Sequence, residues 1–295
     1  MMRLPAVPTE AVGPEAAAAG NIPVLGRYLL RERLGRGSLA DVYRAADLFG
    51  GRDVAVKIGA DAGSDQRERI RAEAGILAAL DHPAIIGFEA EGIMPAGCPH
   101  AGRPFLVEEL AFGLSFSELL RGAEPDRADV AAWAVHLFDG LSHLHGFGVV
   151  HRDIKPANLM LSGLRRSPVR IIDFGIAARA GTVPEAGTSS GTVQYMSPEQ
   201  AAGAAAEPSW DVYALGLVLL ELLTGRKAYP GTAVESLVAR TLRSPEIPGA
   251  LGPGWSELLC SATAMDGAGR PTAAEAAAMA SRLVPVAGWA RLLVH

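Results

Sequence analysis

Cysteine is scarce in this 295-residue chain: Cys98 and Cys260 stand far apart and in no metal-ligand spacing. A disulfide framework is therefore not expected, and a reducing compartment is. Long apolar runs are missing as well. The longest, Val212 to Leu220, is bracketed by Asp211 and Glu221 and falls far short of the roughly 20 residues a membrane helix needs. The first twenty residues show no basic start followed by an apolar core, so no secretory signal is read there. Positive charge is not in excess: the net charge of −5 argues against a general nucleic-acid binder. No sensor domain, membrane span or repeat is visible after about Leu283. The location expected from these absences is cytoplasmic. What is present is a globular composition, 49% apolar and 20% charged, on a chain long enough for two lobes and a large core. Residues 1–25 are rich in Pro, Ala and Gly without periodicity and read as a disordered leader.

The most informative stretch is Val149-Val150-His151-Arg152-Asp153-Ile154-Lys155-Pro156-Ala157-Asn158-Leu159-Met160-Leu161. Short apolar runs flank a polar loop, which reads as strand, loop, strand. The loop carries an acid, an ammonium and an amide at fixed spacing. A further apolar run, Val169 to Ile172, delivers Asp173-Phe174-Gly175. Asp153, Asp173 and the carboxamide oxygen of Asn158 can then converge, and hard oxygens of this kind suit Mg²⁺ bound together with phosphates. A charged surface turn between two hairpin strands is the plainer alternative.

Upstream, Leu34-Gly35-Arg36-Gly37-Ser38-Leu39-Ala40-Asp41-Val42-Tyr43 has two glycines one residue apart. They let backbone approach a phosphate and point N–H groups at it; taken alone, such a Gly-x-Gly is a hairpin turn. Val54 to Ile58 alternates, with Val54, Val56 and Ile58 on one face and Ala55 and Lys57 on the other. A small residue beside a lysine leaves room for a flat ring and supplies charge for its phosphates. Ser64 to Leu80 predicts a helix with Ser64 as N-cap. Glu73 shares the inward face of Ile70 and Leu77. A carboxylate there needs a partner, and Lys57 is the natural candidate.

These motifs resemble a eukaryotic-type serine/threonine protein kinase of bacterial origin. H-R-D-x-x-x-x-N is matched by His151, Arg152, Asp153 and Asn158, and D-F-G by Asp173 to Gly175. G-x-G-x-x-G-x-V is matched by Gly35, Gly37 and Val42, with Ala40 where the third glycine is usual, and V-A-I-K by the strand ending Lys57-Ile58. Gly191-Thr192-Val193-Gln194-Tyr195-Met196-Ser197-Pro198-Glu199-Gln200 is similar to the segment that ends in A-P-E, in its bacterial form. The alanine and glycine enrichment suits a bacterial protein from a GC-rich genome.

The resemblance implies an α+β, bilobal protein kinase-like fold: an antiparallel-sheet N-lobe with one main helix, and a mainly helical C-lobe. The expected boundaries are a leader over 1–25, the ATP-binding N-lobe over 26–110, the catalytic and peptide-binding C-lobe over 111–284, and a tail over 285–295. It implies ATP and Mg²⁺ (or Mn²⁺), protein substrates with Ser or Thr acceptors, no nucleic acid, and is compatible with a transient homodimer for autophosphorylation. By position, Leu34, Gly35, Gly37, Val42, Ala55, Lys57 and backbone groups of Glu109 and Ala111 would bind the nucleotide. Asp153 would accept or orient the substrate hydroxyl proton, Lys155 would steady the phosphoryl group, Asn158 and Asp173 would hold the metal, and Lys57 and Glu73 would pair. The lysine two residues after the acid is the serine/threonine form.

Thr192 would face the acceptor residue. Thr188 is the favoured phosphosite among the hydroxyls of Ala180 to Gly191, and Arg152 could pair with its phosphate. Asp211 would brace the catalytic-loop backbone, and Arg270 would pair with Glu199. Glu108 falls where kinases usually carry an apolar or small polar side chain. Either the register is one residue off, or an acid lines the back of the nucleotide pocket. His143 and His145, at the end of a helix over 126–147, are assigned no chemistry. Two other readings stay open. One is a pseudokinase acting as a nucleotide- or protein-binding module, although the residues whose loss marks one are all present. The other is a small-molecule phosphotransferase on a related fold, which would lack a segment like Thr192 to Glu199.

Overall fold

The computed structural model describes residues 24–37, 39–122, 124–162, 167–183 and 193–285. Most of the expected leader and tail, Ser38, Thr188 and Thr192 lie outside the described residues. The chain divides into two compact units: the described part of Met1–Arg71 with Glu89–Leu110, and Ala72–Phe88 with the described residues after Ala111.

The first unit is built on a five-stranded sheet in the order β1-β2-β3-β5-β4, from β1 (Tyr28–Arg36), β2 (Ala40–Asp47), β3 (Arg52–Gly59), β4 (Phe88–Ile93) and β5 (Pro104–Glu109). β1 with β2, β2 with β3 and β3 with β5 pair antiparallel. Alternation decides its faces. Val54, Val56, Ile58, Phe105 and Val107 are at most 1% exposed and pack in one cluster with Tyr28 and Ala45. Val24 is fully buried in that cluster and bridges Tyr28, so packed structure begins before β1. Arg27 closes the open end of the first hairpin, donating from Nε and Nη2 to the two carboxylate oxygens of Asp47, 2.7 Å each.

Helix α1 (Ser64–Leu77) crosses the division between the units. Ser64 opens it, but its hydroxyl donates to Asp65 (3.0 Å) and does not cap. The regular helix stops at Leu77, three residues short of expectation; Ala79 and Leu80 instead donate to carbonyls three residues back, the tighter pattern with which helices often end.

The second unit is mainly helical, with α2 (Phe116–Leu119), α3 (Arg127–Gly146), α4 (Pro198–Ala201), α5 (Pro208–Thr224), α6 (Ala233–Leu242), α7 (Pro253–Ala262) and α8 (Ala273–Ser281). Side chains cap α2, α6 and α8 in S/T-x-x-E boxes at Ser115/Glu118, Thr232/Glu235 and Thr272/Glu275. Helix α5 is buried on every side from Trp210 to Leu222, and Gly225 in the left-handed region (φ 66°) ends it. Two short pairs fix the polar loop: β6 (Val149–Val150) with β9 (Ala178–Arg179), and β7 (Leu159–Leu161) with β8 (Val169–Ile171).

Candidate active site

The β7–β8 register, Leu159 opposite Ile171, sets Asn158 and Ile172 just beyond the pair, where the Ile172 N–H donates to the Asn158 carbonyl (2.9 Å). Asp173 follows directly. Pairing of β6 with β9 holds the other end of the loop, and Val150 packs with Ala206 and Trp210 beneath it.

Within the loop a 3-10 turn over Pro156–Asn158 folds the amide back toward the acid. Asn158 Nδ2 donates to both the carbonyl and Oδ2 of Asp153, 2.9 Å each, and Lys155 Nζ donates to the same Oδ2 at 2.6 Å. With the amide nitrogen committed, Oδ1 is the acceptor end of the carboxamide, a hard oxygen of the type Mg²⁺ takes. Asp173 adds a carboxylate. Among the described residues no group of three or more His, Cys, Asp or Glu is arranged to hold a metal by itself. A metal shared with substrate phosphates needs only one or two protein oxygens, so the donor set fits.

The loop backbone is fixed by side chains from elsewhere. Asp211, 1% exposed in the first turn of α5, accepts the N–H of His151 on Oδ2 (2.8 Å) and that of Arg152 on Oδ1 (2.9 Å). His145 Nε2 donates to the same Oδ2 at 2.9 Å. Gln200 Nε2, on α4, donates to the Arg152 carbonyl at 2.9 Å. His151 is fully buried: its Nδ1 accepts the Asp153 N–H and its Nε2 donates to the Ile172 carbonyl, 3.3 Å each, with its ring edge-on to Phe174 at 4.7 Å. Arg152 (φ 66°) and Asp173 (φ 62°) both adopt left-handed backbone. That conformation is uncommon outside glycine and costs about 1–3 kcal/mol where it is strained. Burial lowers the pKa of the Arg152 guanidinium, Asp211 opposes the shift, and its Nε donates to the Ile176 carbonyl at 2.5 Å.

In the first unit, Gly37 N–H donates to the Ala40 carbonyl (2.9 Å), and a Cβ on Gly37 would lie 3.0 Å from that oxygen. Gly35 stands opposite Val42, Val42 opposite Lys57, and Ala55 opposite Glu108, while Leu106 faces Lys57. Residues directly opposite share a face, so Glu108 lies on the Ala55–Lys57 face, turned away from the core of Phe105 and Val107. Glu73 is 3% exposed and belongs to the second unit with Ala111, whereas Leu34, Lys57 and Glu109 belong to the first.

Four contacts lay outside the sequence reading. His145 had been given no chemistry and proves to brace Asp211. Gln200 belongs to the recognised motif, yet nothing in the motif said what it bonds. The Tyr195 hydroxyl donates to Glu221 (2.6 Å), and Arg240, fully buried, donates to the carbonyls of Val193 and Met196; no sequence signal marked Glu221 or Arg240. The expected Arg270–Glu199 pair is present at 2.7 Å.

A family model described as protein kinase domain matches residues 28–280. The chain is 37% identical over 239 residues to the probable serine/threonine-protein kinase SCO3848 of Streptomyces coelicolor, covering 77% of this chain and 35% of that protein. It is 39% identical over 233 residues to the serine/threonine-protein kinase PknB of Mycolicibacterium smegmatis (75% and 36%), and 35% identical over 273 residues to the serine/threonine-protein kinase PknL of Mycobacterium tuberculosis (88% and 66%). The chain thus spans about a third of the length of SCO3848 and PknB. Among the described residues no helix is long and apolar enough to cross a membrane.

Proposed function

The chain belongs to the protein kinase domain family, and on that footing we propose that it is a serine/threonine protein kinase, transferring the γ-phosphoryl of ATP to Ser or Thr hydroxyls of proteins, itself included. The observation that carries the reading is the Asp153 carboxylate, held by Lys155 and Asn158 on a loop whose backbone Asp211 fixes. Asp153 receives or orients the proton of the acceptor hydroxyl. Lys155, already at that carboxylate, steadies the transferring group. Asn158 and Asp173 hold the divalent metal, with Mg²⁺ favoured by the oxygen donors and Mn²⁺ the substitute of like preference. When bound, the metal neutralises charge on the phosphates. Lys57 serves the α/β-phosphates with Glu73 as its partner carboxylate, Leu34, Gly35, Gly37, Val42 and Ala55 serve the nucleotide, and Glu109 and Ala111 offer backbone groups to adenine. Residues 26–110 act as the ATP-binding lobe and 111–284 as the catalytic and peptide lobe.

Thr192, facing the acceptor, and Thr188, the proposed phosphosite, extend the reading beyond the described residues, and Arg152 is the proposed phosphate partner. The test is incubation with Mg-ATP and mapping of phosphate by mass spectrometry, beside Asp153→Asn. The mutant is expected to lose about 10²–10⁴-fold in transfer rate and to keep nucleotide binding. Undiminished transfer by the mutant would remove Asp153 from its role, and no transfer by the parent protein would remove the kinase reading.

A further inference from the structure

Helix α6 leaves an apolar stripe in solvent while it buries a charged side chain. Val234, Val238 and Leu242, spaced four apart, are 70%, 50% and 76% exposed; Leu237 and Ala239 are half-buried, and Ser236 and Arg240 are buried at 1% and 0%. Burying a guanidinium costs several kcal/mol unless its donors are satisfied. Among the described residues, none of the hydrogen-bond partners of Arg240 is a carboxylate. Nη1 donates to the Val193 carbonyl and, at 2.9 Å, to the Met196 carbonyl; Nη2 donates to Ser236 Oγ (2.7 Å) and Nε to the Ser236 carbonyl (3.2 Å); the Tyr229 ring lies 5.6 Å from Cζ. Burial lowers its pKa, and the hydroxyls of Tyr213, Tyr229 and Tyr195 act against that shift.

One nitrogen thus bridges carbonyls three residues apart and closes the turn Val193-Gln194-Tyr195-Met196 from below. Between those carbonyls the Tyr195 hydroxyl is tied to Glu221 at 2.6 Å, and the Gln194 Oε1 accepts from Lys227 at 2.7 Å. The turn leads into α4, whose Gln200 holds the Arg152 carbonyl next to Asp153. A small cavity is lined in common by Asp153, Ile154, Tyr195 and Met196.

We propose that Arg240 is a positioning residue for the protein substrate: by clamping Val193 and Met196 it sets the surface on which the acceptor segment lies relative to Asp153. This rests on the kinase reading above. An apolar residue at 240 removes the cost of burying a charge and leaves the Val193 and Met196 carbonyls without that donor, so the two effects oppose each other in stability while the turn loses its clamp.

The test compares Arg240→Met and Arg240→Lys with the parent protein by three readouts. These are amide hydrogen exchange at Tyr195, Met196 and Ser197, KM for dephosphorylated casein, and nucleotide affinity. In Arg240→Met, exchange at the three amides is expected to accelerate, and KM for casein to rise about tenfold or more, a loss of about 1.4 kcal/mol. ATP affinity is expected to stay within about twofold and the melting temperature to change little, the relief of the buried charge offsetting the stranded carbonyls. Arg240→Lys, which keeps a donor on a flexible stem, is expected to recover part of the casein KM. Unchanged exchange and casein KM in Arg240→Met would overturn the proposal. So would a joint loss of melting temperature, ATP affinity and casein turnover, which would make Arg240 an anchor of the fold alone. A parent protein that phosphorylates nothing would instead sink the kinase reading, and the exchange measurement would still decide whether Arg240 holds the turn.

Discussion

The loop from His151 to Asn158 and the hairpin turn after Gly35 are both short polar crossings between strands, yet they are held to different degrees. The loop is tethered by side chains from two helices, Gln200 on α4 and Asp211 on α5, and His145 on α3 braces the Asp211 carboxylate. Among the described residues the hairpin turn has its ladder, the Gly37–Ala40 backbone bond and, at the Leu39 carbonyl, the Ala60 N–H (3.0 Å) and Gln66 Nε2 from α1 (2.8 Å). A group that must meet a proton at hydrogen-bond distance tolerates little displacement. Backbone that covers a phosphate has a looser task, and there the useful property is the absence of side chains. Side-chain support is heavier at the loop proposed for the chemical step and lighter at the turn proposed to cover a phosphate.

The contrast gives an ordered set of outcomes. Removing the main brace has the largest effect. Asp211→Ala strands two buried N–H groups, at about 1–3 kcal/mol each. Denaturant unfolding is expected to show a loss on that scale, and kcat to fall about tenfold or more for each 1.4 kcal/mol of positioning lost. Retained stability together with full kcat would show that the loop is fixed by its strand pairs alone. In the hairpin, Gly37→Ala places a methyl 3.0 Å from the Ala40 oxygen, close enough to shift the turn. The expected result is a several-fold rise in KM for ATP with kcat nearly kept and little change in melting temperature; a fall in kcat without a KM change would assign the turn to the chemical step.

The smallest effect belongs to the base of the hairpin. The Arg27 guanidinium, together with the backbone N–H groups of Gly50 and Phe49, holds the Asp47 carboxyl well below the usual carboxylate range. A depressed carboxyl contributes stability that is fully present above its unfolded pKa, near 3.9, and is lost as pH falls through the folded value. The melting-temperature deficit of Asp47→Asn is therefore expected to be constant above about pH 4 and to narrow below it. A deficit that does not vary with pH would mean the carboxylate acts by shape and hydrogen bonding only.

Much of this was legible in the sequence because it is local. Alternation over Val54–Ile58, the stop at Gly225, and the spacing of Asp153, Lys155 and Asn158 each depend on residues within a few positions. The pairs Asp211 with the loop backbone and Arg270 with Glu199 came from family resemblance. What stayed hidden depends on distant partners. Nothing near His145 says that its ring will meet a carboxylate 66 residues away. The Val234, Val238 and Leu242 stripe of α6 points outward, so pattern reading would bury that stripe and put Arg240 in water. The end of α1 was overdrawn because Leu80 continues the apolar spacing after the α-helical bonds have stopped.

The left-handed backbone of Arg152 has a consequence for anyone altering this chain. Glycine would relieve the left-handed conformation in the folded state, so a search for thermostable variants guided by backbone preference would choose it early. Glycine would keep the backbone carbonyl that Gln200 bonds, but it would lose the side chain that links the loop to the Ile176 carbonyl. Position 152 is therefore one where backbone ease and the anchoring of the loop pull apart.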